Sequence, residues 1–108
     1  MLILFDQGTP VAIRNYLPGH VVKTAYQQGW STLLNGELLR VAEEAGFEVL
    51  LTTDKNLASQ QNLRGHKIAI VALGKNRWSL IQPALGRIAD AVNAATPGSF
   101  TLVVIPGG

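Results

Sequence analysis

Asp6 closes the apolar run 2–5, Asp54 closes the run 49–53, and between them Glu37 opens the helical stretch Glu37-Leu38-Leu39-Arg40-Val41-Ala42. Both runs read as buried strands, and an open α/β sheet places its ligand sites beyond the carboxyl ends of its strands. Carboxylates gathered at such an edge repel one another unless a cation sits among them. The trio Asp6, Glu37 and Asp54 therefore predicts a Mg²⁺ or Mn²⁺ site with oxygen ligands. Each acid also has a plainer use. Asp6 would start a turn, Asp54 would cap a short helix near 57–63, and Glu37 would be stabilised by a helix N-terminus alone. Asn35, a rival ligand to Glu37 on the same turn, and Asn56, just beyond Asp54, are candidates for supporting ligands. Residues 55–89 contain no Asp or Glu, so the three acids suffice for one octahedral ion with waters but are thin for two.

Basic and aromatic groups flank these acids. Lys55 follows Asp54 directly, and Gly74-Lys75-Asn76-Arg77-Trp78 follows the fourth apolar run, which puts it at the same edge. Lys75 and Arg77 have the charge to hold phosphates, and Trp78 the ring to stack on a base. The competing expectation is a solvated turn with Trp78 folded onto the core. Trp30 reads as a packing anchor, His20 as the start of a strand and His66 as a turn residue. Neither histidine has the spacing of a zinc site. A glycine-rich phosphate loop and a serine elbow are both missing, which argues against nucleotide hydrolysis of the P-loop kind and against serine hydrolysis.

The elements that must position these residues follow from the apolar pattern. Strands are expected at 2–5, 21–25, 48–53, 68–73 and 100–105, with helices at 10–17, 36–46 and 80–95 and the short one near 57–63. Alternation over short connections predicts βαβ units, hence a three-layer α/β/α sandwich around a mostly parallel sheet. Thr9-Pro10 reads as a helix cap followed by proline at the first helical position, leaving Asp6 free of that duty. Asn35-Gly36-Glu37 would cap the next helix and Gly46 stop it. Pro83 would mark the first turn of the last long helix, with Ser79 or Gln82 as its cap. The final run 101–105 would be an edge strand or a dimer strand.

Bulk properties limit the function classes. A chain of 108 residues, 47% hydrophobic and 15% charged, is expected to form one domain with one core. No apolar run reaches the ~18–20 residues of a membrane span, and the opening on a strand gives no expectation of a signal peptide. The absence of cysteine excludes disulfides and thiolate metal sites and fits a cytoplasmic setting. A net charge of +2 permits an anionic partner without announcing a nucleic-acid binder. The apolar excess points to an interface with another protein, a second copy included.

The stretch Leu2-Ile3-Leu4-Phe5-Asp6-Gln7-Gly8-Thr9-Pro10 is similar to the opening of short bacterial PIN-like proteins. Pro18-Gly19-His20-Val21-Val22, Asn35-Gly36-Glu37-Leu38-Leu39 and Leu51-Thr52-Thr53-Asp54-Lys55-Asn56-Leu57 recur there in the same order, so the resemblance covers about residues 1–75. It implies a PIN-type α/β/α sandwich and a metal-dependent ribonuclease, often the toxin of a toxin–antitoxin pair. Carried over by position, Asp6 matches the first acid, Asp54 the acid after the third strand, and Glu37 the helix acid. Gln7, Asn35 and Asn56 stand where the family often carries further acids, and a fourth acid common in its active nucleases has no counterpart. Three readings follow. In the first, the chain is a Mg²⁺- or Mn²⁺-dependent ribonuclease. In the second, it is a non-catalytic module binding RNA or a protein partner. The third, a phosphorylation receiver accepting phosphate on Asp54, lacks the acidic pair after the first strand and the lysine after the fifth.

Overall fold

The computed structural model describes residues 1–54 and 65–107. Lys55, Asn56 and the short helix expected near 57–63 lie outside the described residues. Among the described residues five strands, β1 (Leu2–Phe5), β2 (Val21–Thr24), β3 (Val49–Thr52), β4 (Ala69–Leu73) and β5 (Phe100–Val103), form one sheet in the order β2-β1-β3-β4-β5. Every pairing is parallel, with Phe5 opposite both Thr24 and Leu51, and Thr52 opposite Ala72. The helices described between them are a 3₁₀ segment (Val11–Tyr16), α1 (Asn35–Glu44), α2 (Trp78–Ile81), a second 3₁₀ turn (Gln82–Ala84) and α3 (Leu85–Ala94).

Alternation along the strands builds two cores. Ile3, Phe5, Val49, Leu51 and Val71 pack on one face with Ile13, Ile88 and Val92. Leu4, Leu50 and Ile70 pack on the other with Leu38, Leu39 and Ala42 of α1. The fold is thus of the α/β class, an all-parallel sheet with helical residues in both cores. Strands β3 and β4 are buried along their whole length, as strands covered on both faces must be, and this explains their unbroken apolar runs. Each large side chain so buried contributes about 1.5–3 kcal/mol.

Several helix boundaries differ from expectation for identifiable reasons. The segment expected at 10–17 is a six-residue 3₁₀ helix whose N-cap is Pro10, with no side-chain cap. The Thr9 hydroxyl instead donates to the Leu51 carbonyl oxygen at 3.2 Å and ties the β1 turn to β3. Thr9 is therefore a tertiary clamp and not a cap. The helix expected at 80–95 is split by Pro83, which lacks an N–H and cannot sit in a helix interior. It lies in the 3₁₀ turn, and neither Ser79 nor Gln82 caps α3, whose N-cap is Ala84. The N-cap of α1 is Leu34, again without a side-chain bond. The other end of α1 behaves as read from the sequence. Gly46 adopts φ 91°, its N–H bonds the Glu43 carbonyl, and the Phe47 N–H bonds that of Ala42. This pair of bonds is a Schellman closure, which needs a residue tolerant of positive φ.

The two sheet edges are β2 and β5, so the last run is an edge strand, shorter than expected at Phe100–Val103. Among the described residues no helix is long and apolar enough to cross a membrane.

Candidate functional site

The strand order fixes where a site belongs. From β1 the chain turns to one side to make β2, then crosses back to make β3 on the other side of β1. A crevice opens at such a switch point, beyond the carboxyl ends of the two flanking strands. Asp6 follows the last residue of β1, and Asp54 stands two residues beyond β3.

Local geometry aims Asp6 toward β3. The Thr9 N–H bonds the Asp6 carbonyl at 3.1 Å across a four-residue turn. Gly8 holds φ 91° at its third position while Gln7 keeps a negative φ, the signature of a type II turn. A side chain at Gly8 would be strained by that φ, and its Cβ would lie 3.6 Å from Thr53 Oγ1. The turn fixes the carboxylate: Oδ1 accepts the Gln7 N–H at 2.8 Å, and Oδ2 accepts the Thr52 hydroxyl at 2.8 Å.

Thr52 completes the connection. Its side chain is fully buried at the end of β3, and its Oγ1 also accepts the Asp54 N–H at 3.1 Å. A threonine hydroxyl receiving the N–H two residues on is a local turn device. Here the same hydroxyl also donates a hydrogen bond to Asp6, so one hydroxyl orients both acid-bearing segments. Nothing in the local sequence marks Thr52 for this role, because a threonine in an apolar run reads as a strand former. Its partner lies 46 positions away.

Burial raises the Asp6 carboxyl above the usual aspartate range. The hydrogen bonds from Thr52 and the Gln7 N–H oppose the rise, and the negative charge of Asp54 adds to it. Asp6 and Asp54 therefore sense each other. Glu37 stands exposed in the first turn of α1. Among the described residues no three His, Asp or Glu side chains gather as a metal-holding group. The acids that come together are two, Asp6 and Asp54.

The loop after β4 lies at the same edge. Lys75, Asn76 and Arg77, with Leu80, line an open depression of about 210 Å³. Asn76 and Arg77 are exposed and Lys75 half-buried. Trp78 is half-buried and packs against the core. Trp30 packs edge-on against Phe47, with ring centroids 5.9 Å apart, as a packing anchor.

Neither histidine joins the acids. His20 receives the N-terminal ammonium of Met1 on Nδ1 at 2.9 Å and meets Asn93 Oδ1 through Nε2 at 2.7 Å. His66 faces Glu43 at 3.5 Å. A cavity of about 260 Å³ opens at the amino end of the sheet, lined by residues that include Met1, Glu43, Phe47 and Ala69. It is the length of the sheet away from Asp6 and Asp54, so the paired carboxylates, not cavity size, locate the candidate site. The chain matches no protein-family model, no curated protein and no solved structure.

Proposed function

We propose that this protein is a Mg²⁺- or Mn²⁺-dependent ribonuclease that hydrolyses phosphodiester bonds at the carboxyl edge of its sheet. The observation that carries the reading is the Asp6–Thr52–Asp54 connection across the switch point. Asp6 bears a charge that burial and a neighbouring carboxylate both disfavour. A hard divalent cation between Asp6 and Asp54 would remove both penalties, and the donors offered are all oxygens. The residues present therefore fit such an ion. One or two carboxylates, with water and substrate phosphate completing the shell, is an ordinary protein complement for Mg²⁺.

Asp6 and Asp54 would hold the ion, with Glu37 at the same edge as a supporting group. When bound, the ion would lower the pKa of a water and neutralise charge building on the scissile phosphate. Thr52 and the Gln7 N–H keep the Asp6 carboxylate in one orientation, so the ligand needs no reordering as the ion arrives. Lys75 and Arg77, after β4 beside the acids, would take phosphates through charge-assisted hydrogen bonds.

The test is turnover. Wild-type protein with Mn²⁺ should cleave single-stranded RNA, chelation should stop it, and Asp6→Asn should abolish it while leaving the fold intact by circular dichroism. Cleavage retained by Asp6→Asn would remove Asp6 from the mechanism. One observation favours a second reading, a module that binds RNA or a protein partner without turnover: no third acid joins the pair among the described residues. RNA bound tightly in chelator and never cleaved would select it.

A further inference from the structure

The strand order sets four groups of three chemical kinds, aromatic, acidic and basic, in a row along the carboxyl edge. Tyr26 follows β2, Asp6 follows β1, Asp54 follows β3, and Lys75 with Arg77 follows β4. Neighbouring strands lie ~4.8 Å apart, so the row spans roughly 14 Å from the aromatic group to the basic loop. Tyr26 is 80% exposed. A single exposed tyrosine is ordinary on a protein surface; this one stands after β2, at the edge that also carries the acids and the basic loop.

The backbone beneath Tyr26 is tightly braced. Ala25 N–H bonds the carbonyl of Phe5, the residue before Asp6, at 2.8 Å, and Trp30 N–H bonds the Ala25 carbonyl at 2.8 Å. Thr24 and Gln27 close the turn reciprocally, the Thr24 N–H donating to Gln27 Oε1 at 2.9 Å and the Gln27 N–H to Thr24 Oγ1 at 3.1 Å. The Gly29 N–H bonds the Tyr26 carbonyl at 3.0 Å. An exposed ring on a fixed backbone loses little entropy when something stacks on it. Trp78, the ring expected from the sequence to stack, already spends part of its surface on the core.

We infer that Tyr26 is a nucleobase-stacking platform, so that single-stranded RNA crosses the carboxyl edge with a base on Tyr26 and its phosphates on Lys75 and Arg77, the acids lying between. The inference rests on the RNA reading above and adds to it the contact on the β2 side. Stacking on an aromatic side chain tolerates any base, and single-stranded nucleic acid is the partner whose recognition combines such rings with a basic track. A duplex, with its bases already stacked, has no face to offer.

The test measures anisotropy of short labelled RNAs, in chelator and in Mn²⁺, with wild type, Tyr26→Ala and Tyr26→Phe. Oligoadenylate should bind Tyr26→Ala about tenfold more weakly than wild type, the scale of losing one stacked base. Tyr26→Phe should stay within about twofold, since the ring face is kept. The salt dependence should be the same for all three, because stacking releases no counterions. An abasic oligomer should bind wild type and Tyr26→Ala alike. Equal oligoadenylate affinity of Tyr26→Ala and wild type, or a deficit that persists on the abasic oligomer, would overturn stacking and leave the ribonuclease reading standing. Failure of wild type to bind any RNA in either condition would overturn both, even if Mn²⁺ still bound at the acids.

Discussion

Thr52 and Asp6 face each other across β1 and β3, and a single 2.8 Å hydrogen bond from the Thr52 hydroxyl to Asp6 Oδ2 joins them. The register that pairs Phe5 with Leu51 makes their successors neighbours. The same hydroxyl accepts the Asp54 N–H, so removing it disturbs both acids at once. Hydrogen bonds to charged groups contribute about 1.5–3 kcal/mol. Thr52→Val should therefore cost about 2 kcal/mol in urea unfolding, more than its nearly unchanged volume would predict. Thr52→Ser keeps the hydroxyl and should cost about 1 kcal/mol or less. Equal losses in the two variants would mean that Thr52 acts by packing alone.

The raised pKa of Asp6 makes a signed prediction. A carboxyl whose pKa is higher in the folded than in the unfolded chain stabilises the fold below its unfolded pKa, and that contribution is lost as pH rises through the folded value. The stability of Asp6→Asn relative to wild type should therefore increase as pH climbs from acid through and above the ordinary aspartate range. Thermal melts of both proteins across that range check it. A constant difference would show that Asp6 titrates alike in both states.

Glu43 makes the opposite one. Its carboxylate accepts the N–H groups of Lys67 and Ile68 and faces His66. These contacts hold its pKa below the usual glutamate range, the Lys67 N–H contributing most. The stabilisation is present above the unfolded pKa and is lost as pH falls through the lower folded value. Glu43→Gln should destabilise at pH 7, and its difference from wild type should shrink on acidification. A difference that grows with acid would contradict the clasp between α1 and the start of β4.

Lys75 and Arg77 should act through charge. Replacing either with alanine should weaken RNA binding for every sequence and lower the slope of log affinity against log salt by about one. Affinity measured at several salt concentrations decides the matter. An unchanged slope would return this loop to being a solvated turn.

The same contacts explain what was legible in the sequence. Apolar runs mark all five strands: the central strands β3 and β4 are buried throughout, and the runs remain readable in the partly exposed edge strands β2 and β5. Asp6 and Asp54 fall where the runs of β1 and β3 stop. Thr52 could not be seen, since its hydroxyl is defined by a partner on another strand. Thr9 hides its role for the same reason: its local pattern is that of a cap, and its bond is to Leu51. Tyr26 carried no signal because exposure depends on what the fold leaves uncovered. The break at Pro83 was visible as a proline, but a 3₁₀ turn there was one of two ways to accommodate it. Glu37 lies in a helix as expected, yet a helix position does not specify reach across an edge.

Calorimetric titration of Mn²⁺ into wild type, Asp6→Asn and Asp54→Asn tests the central claim without any assumption about substrate. Saturable binding near one ion per chain in wild type, lost in both variants, is the predicted result. No binding in wild type, or binding that survives both substitutions, would contradict a cation site built on Asp6 and Asp54.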